Sequence, residues 1–169
     1  TNATSRTLSV LLNDSSGIFR SGASHIVGAH PVAVTAADMT GDGIIDIVTA
    51  NADAGSISIL KNATITGFAE TIEIGTLGNP HGVAIADFDD DGKRDVAVAS
   101  FATNSIEIFR NLGKGNLAPV AKFAVGGSPW PISIADFDSD GRPDLAVANY
   151  TSGNLSVLRN TGSLTFATS

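Results

Sequence analysis

The sequence repeats itself every 49 residues. Ala37-Asp38-Met39-Thr40-Gly41-Asp42-Gly43 returns as Ala86-Asp87-Phe88-Asp89-Asp90-Asp91-Gly92 and again as Ala135-Asp136-Phe137-Asp138-Ser139-Asp140-Gly141. The same step joins Asn13, Asn62, Asn111 and Asn160, and it joins Leu8, Ile57, Ile106 and Leu155. A fixed period of this size is the mark of propeller blades or solenoid repeats, in which one supersecondary unit stacks on copies of itself.

The composition inside the period selects the blade. Each repeat holds short runs such as Val32-Ala33-Val34-Thr35-Ala36, Ile45 to Ala50, Ser56 to Leu60 and Glu70 to Ile74. Runs of this length, rich in β-branched residues and bounded by Gly, Asn and Asp, are strands. None has a 3.6-residue period, which excludes helical solenoids. Four strands per repeat with tight turns is the make-up of a β-propeller blade. The expected fold is therefore all-β, with four-stranded antiparallel blades, about three and a half in residues 1–169. Residues 7–26 match the last two strands of a blade. Residues 28–74 and 77–125 are complete units, and 127–169 holds three strands and a stub. A propeller closes with typically four to eight blades, so this chain is expected to self-associate, two copies closing one ring.

Each repeat also carries an acidic loop, at 38–46, 87–95 and 136–144. The loops place oxygen-bearing residues at alternate positions: Asp38, Thr40, Asp42 and Asp46; Asp87, Asp89, Asp91 and Asp95; Asp136, Asp138, Asp140 and Asp144. A glycine at position six allows the sharp bend around an ion, and the carbonyls of Ile44, Lys93 and Arg142 at position seven would add backbone ligands. Hard oxygen donors in a flexible loop suit Ca²⁺, up to three ions per chain. Neither His nor Cys stands in the loops, which disfavours softer metals. An EF-hand would need a Glu at position twelve, where Thr49, Val98 and Val147 stand instead. The competing reading is a solvated hairpin tip.

Charge bears on the choice. The chain has 10 Lys and Arg against 17 Asp and Glu, a formal net charge of −7. Clustered carboxylates repel one another unless a cation joins them. An acidic chain without a basic cluster is a poor partner for nucleic acid. No apolar run nears the ~18 residues of a membrane span, so membrane insertion is not expected. Cysteine is absent, which removes disulfides and thiolate chemistry.

The motif Ala-Asp-Phe-Asp-x-Asp-Gly-x-x-Asp-(Leu/Val)-Ala-Val-Ala, with a strand and Asn beyond it, resembles the FG-GAP or VCBS repeat of integrin-type β-propellers. The resemblance runs from Leu8 to Phe166. It implies one structural Ca²⁺ in each loop, held by the residues just named, with Thr40 a departure from the pattern. It also implies an extracellular, periplasmic or cell-surface module for adhesion or for recognition of carbohydrate or protein. The alternative it leaves is the propeller portion of a secreted polysaccharide-active enzyme whose catalytic residues lie elsewhere. Thr1 to Arg6 is polar and carries no export signal, so a targeting segment is expected outside these residues.

No catalytic constellation stands out, and the chain is expected not to be an enzyme. Nucleophile-elbow, zinc-protease and phosphate-loop motifs are missing. Asp53, Glu70, Glu73 and Glu107 are expected on solvated strands or turns. Val32, His81 and Trp130 each follow a proline at the start of the innermost strand, at one mouth of the central channel. There Trp130 either meets a ligand or fills the gap between blades.

Overall fold

A computed structural model describes residues 1–63 and 67–168. The described residues are strands joined by turns, with one short 3-10 turn at Phe101–Thr103. Strands β1 (Thr7–Asn13) and β2 (Phe19–Ile26) pair as a hairpin. Then come three meanders of four strands. The first holds β3 (Pro31–Ala37), β4 (Asp46–Asn51), β5 (Ser56–Asn62) and β6 (Phe68–Gly75). The second holds β7 (Pro80–Ala86), β8 (Asp95–Ser100), β9 (Ser105–Asn111) and β10 (Leu117–Ala124). The third holds β11 (Pro129–Ala135), β12 (Asp144–Asn149), β13 (Asn154–Gly162) and β14 (Thr165–Thr168). Each sheet runs in sequence order with antiparallel neighbours only. This is the propeller-blade arrangement that the 49-residue period demands, and the three-and-a-half-blade frame holds.

The blades stack face to face around β3, β7 and β11, which lie side by side. Burial follows from that stacking. Strands β8 and β9 are covered by a blade on each side, and nearly every residue in them is buried. Strands with two apolar faces have no polar face to alternate with, which accounts for the continuous run Val96-Ala97-Val98-Ala99. The outer strands β6 and β10 are largely exposed.

Three apolar layers fill the gaps between successive blades. Leu8, Val27 and Leu60 lie between the hairpin and the first full blade. Met39, Val48, Ile57, Val98 and Phe109 lie in the next gap, and Phe88, Ile106, Leu145, Leu158 and Phe166 in the last. Gly82 makes one close approach possible, because a Cβ there would fall 2.0 Å from the Trp130 carbonyl oxygen.

Several repeat-equivalent apolar residues differ in burial where a neighbouring blade does not cover them. Met39 is 1% and Phe88 2% exposed, but Phe137 is 49% exposed. Ile57 and Ile106 are 0% exposed against 60% for Leu155. On the opposite end Leu11 is 59% exposed, while its counterparts Leu60 and Leu158 are 0%.

Candidate metal centres

The acidic loops join the first and second strands of each full blade, at β3–β4, β7–β8 and β11–β12. Their backbones share one geometry. Position four lies in the left-handed region in every loop, at Gly41 (φ 81°), Asp90 (60°) and Ser139 (63°). Position six does so as Gly43, Gly92 and Gly141, at 83°, 82° and 90°. The first aspartate of each loop accepts loop N–H groups: Asp38 from Gly41 and Gly43, Asp87 from Asp91 and Gly92, Asp136 from Asp140 and Gly141. Burial raises the Asp38 carboxyl, but hydrogen bonds from Gly43 and Gly41 outweigh it and hold the group below the usual carboxylate range.

The ninth-position aspartates serve the fold as well. Asp46, Asp95 and Asp144 are fully buried. Asp95 Oδ2 accepts the Phe88 N–H at 3.1 Å and its Oδ1 accepts the Asn111 N–H at 2.8 Å. Asp46 bridges Met39 and Asn62 in the same way, and Asp144 bridges Phe137 and Asn160. Each ties its loop to the end of the blade's third strand. Burial pushes the Asp95 carboxyl up to about 6.

Two loops gather carboxylates into a cage. Asp87, Asp89 and Asp95 each place an oxygen within 4.8 Å of the others, and Asp136, Asp138 and Asp144 do the same. Among the described residues, Asp38, Asp42 and Asp46 do not form such a group; the third position there is Thr40, whose hydroxyl donates to Asp38 Oδ1 at 3.4 Å. The fifth-position aspartates stand apart from both triads. Asp42, Asp91 and Asp140 each accept the N–H of the position-seven residue, Ile44, Lys93 or Arg142, at 2.9 Å. Asp91 also pairs with Lys93 Nζ at 2.8 Å and Asp140 with Arg142 at 2.7 Å. The Lys93 hydrogen bond leads the interactions that hold Asp91 below the usual carboxylate range.

The second loop fits a cation by an independent criterion. The Asp89 side chain is 8% exposed, and its buried Oδ1 has no hydrogen-bond partner. A buried, unsatisfied carboxylate oxygen costs free energy until a cation or donor meets it. Hard oxygens from three aspartates, with the Lys93 carbonyl nearby in sequence, suit Ca²⁺.

Comparison with known proteins decides the family. The FG-GAP-like repeat model matches residues 38–98 and again 87–147, well over half of the chain. The chain belongs to the FG-GAP-like repeat family. No curated protein matches it. Solved structures match this FG-GAP-like chain in fold. A protein of unknown function from Desulfotomaculum acetoxidans DSM 771 aligns with a TM-score of 0.70 at 19% identity, over 98% of this chain and 50% of that one. BBS1N, solved in complex with ARL6DN, aligns at 0.60 with 20% identity, over 83% and 43%. An Agrocybe aegerita lectin described as recognising non-reducing terminal N-acetylglucosamine aligns at 0.58 with 19% identity, over 97% and 52%. The FG-GAP-like chain thus spans about half the length of the structures it matches.

Outside the loops, Asp53, Glu70 and Glu73 are exposed as expected, and Glu107 is not. Trp130 stands edge-on to His81 (ring centroids 4.7 Å) and to Phe101 (6.3 Å) of the preceding blade, so it fills an interblade gap while staying 43% exposed. His81 stacks on Phe101 at 4.5 Å, and burial holds its imidazole below the ordinary histidine range. Glu107 is the correction: expected on a solvated face, it is 3% exposed. It accepts the Leu77 N–H at 3.0 Å and the Ser100 hydroxyl. Ser58 and Ser156, its repeat equivalents, accept the N–H of Gly28 and Gly126. Glu107 does the same work with a longer side chain opposite Ser100, where the other blades pair Asn51 with Ser58 and Asn149 with Ser156.

Proposed function

We propose that the chain is a calcium-stabilised, non-catalytic propeller module that presents a binding surface outside the cytoplasm. The observation that carries this reading is the second loop, where three carboxylates converge and the buried Asp89 Oδ1 lacks a partner. The third loop repeats the triad, and the first, with Thr40, is the weakest of three sites. Ligands from each loop are Asp38, Thr40, Asp42, Asp46 and the Ile44 carbonyl; Asp87, Asp89, Asp91, Asp95 and the Lys93 carbonyl; and Asp136, Asp138, Asp140, Asp144 and the Arg142 carbonyl. Binding by Asp91 and Asp140 requires them to exchange their Lys93 and Arg142 ion pairs for the metal. Sites of this kind fill at ~10⁻⁴–10⁻³ M calcium in extracellular modules, which favours a secreted, periplasmic or surface location. Recognition of a protein or glycan is supported by the neighbours of the same fold, one solved with a protein partner and one a lectin.

A second reading concerns assembly. Phe137 and Leu155 lie open where their equivalents are buried by the next blade. In the isolated chain a second copy covers this face and closes a ring, since propellers remove free blade faces by closure.

Calorimetric titration with calcium tests the main reading. Uptake of two ions at sub-millimolar to millimolar dissociation constants and of a third, weaker one at the first loop, with a melting temperature that drops in chelator, is the expected result. No heat of binding and no chelator effect would refute it.

A further inference from the structure

The second loop already holds a cation of its own. Arg110 projects from β9 of the same blade, next to Asn111. Its Nε lies 2.8 Å from Asp89 Oδ2 and its Nη2 3.2 Å from Asp91 Oδ2. Asp91 Oδ2 also takes the Lys93 ammonium at 2.8 Å. Asp89 Oδ2 thus faces the guanidinium as an ion pair in which Nε donates no hydrogen bond, and Asp89 Oδ1 stays buried and unpartnered.

Among the described residues, the other blades lack this device. At the equivalent position Lys61 pairs with Glu70 of the neighbouring strand at 3.3 Å, away from its loop. Arg159 forms no ion pair among the described residues, and the third loop meets only Arg142, its own member. The second loop carries the most carboxylates, Asp90 included, and, among the described residues, a strand-borne counter-charge that no other loop has.

We propose that Arg110 is a built-in competitor of the metal at the second loop: it stabilises the ion-free cage more than the loaded one, and so lowers the calcium affinity of that site. The proposal rests on the calcium reading above. In the ion-free loop, the guanidinium offsets repulsion among Asp89, Asp91 and Asp95. Once a divalent ion sits against Asp89 and Asp91, the same guanidinium faces a like charge a few ångströms away and loses the Asp91 oxygen to the metal. A group that favours the empty state weakens the ligand by the same free energy. The second site then fills after the third despite its greater acidity, and its loop stays ordered at low calcium. A residue that only positioned Asp89 would act in the opposite sense, because its loss would loosen the cage.

Calcium titration of the full chain and of R110Q, with R159Q as control, decides between these. In R110Q one binding step tightens roughly tenfold, within the usual range of a coupling between sites, and that step disappears in R110Q/D87N. The melting temperature of R110Q in chelator falls, while R159Q matches the parent in both. If R110Q does not fold without calcium, R110K replaces it, since a point charge cannot bridge both aspartates; about a threefold tightening is then expected. Unchanged or weaker affinity in the folded variant overturns the proposal and leaves the calcium reading standing. Absence of calcium uptake in parent and variant alike overturns both.

Discussion

The side-chain amide of Asn111 donates to the backbone carbonyl of Met39 at 2.9 Å, across 72 residues of sequence and from one blade to the one before it. Asn160 repeats the bond to Phe88 at 3.0 Å. The Asn111 amide also reaches the Arg94 carbonyl at 2.9 Å, and its Oδ1 accepts the Gly113 N–H at 2.9 Å. One buried side chain thus joins a loop of the preceding blade, its own blade's loop and its own hairpin turn.

Replacing Asn111 by Leu removes two donors and an acceptor: the Met39 carbonyl keeps the Gly115 N–H at 3.0 Å, but the Arg94 carbonyl and the Gly113 N–H lose their side-chain partner. The expected cost is about 2–4 kcal/mol, from a penalty of roughly 1–3 kcal/mol for a buried unsatisfied group. Urea unfolding of N111L measures it. A change below about 0.5 kcal/mol, the usual size at an unremarkable surface site, would show that the interblade bond contributes little.

The third blade offers a gain. Asn51 Oδ1 accepts the Thr49 hydroxyl at 3.0 Å, but Val147 occupies the Thr49 position and the buried Asn149 Oδ1 has no partner. V147T supplies the missing donor in a place where the first blade already accommodates threonine. It should raise stability by about 1 kcal/mol, the net value of one hydrogen bond. A loss of stability on thermal unfolding would contradict this.

Acidity should act on the calcium-free protein through Asp95. Its folded value of about 6 lies above the ordinary 3.8 because of burial, with Asp89 and Asp91 adding to it. The folded state therefore binds a proton that the unfolded chain has released between these values, and stability falls as pH rises through that window. Asp38 and Asp91, held low, act in the opposite sense only below it. Calcium needs the ionised carboxylate, so its affinity rises over the same range. His81, held low by burial, opposes this in the upper part of the window, so unfolding in chelator at pH 4.5 and pH 6.5 is compared between the parent and D95N; a loss of stability with pH no larger in the parent than in D95N would refute it.

Assembly rests on the open face. Light scattering in calcium should show a species near twice the 17.2 kDa of the chain. L155E, placing a charge where Ile57 and Ile106 are fully buried, should return it to the monomer mass. A monomeric parent would sink the closed ring.

Much of this was legible in the sequence because a repeat reports itself. The register of Asp87, Gly92 and Asp95 against their copies placed the loops, and the apolar runs placed β8 and β9. What repetition hides is the exception. Glu107 reads as a surface acid because its environment depends on Ser100, the residue that replaces Asn51 and Asn149. Nothing in the repeat singles out Arg110, since only the bend of the loop brings Asp89 and Asp91 beneath it. Phe137 repeats Phe88 in sequence, yet its exposure is set by a neighbour outside the repeat itself.

Loop one should respond to a single change. T40D places a fourth carboxylate in the loop, at its third position, and should tighten the site by about tenfold or more, since ligand charge sets affinity in such loops. Calorimetry of T40D with no gain would separate the first loop from the other two.

The most direct test of calcium binding is a crystal structure in calcium chloride with anomalous data. An ion is expected within about 2.3–2.6 Å of oxygens from Asp87, Asp89, Asp91 and Asp95 and of the Lys93 carbonyl, and a second one in the Asp136, Asp138, Asp140 and Asp144 loop. Both loops empty at millimolar calcium, with Arg110 still on Asp89 and Asp91, would contradict it.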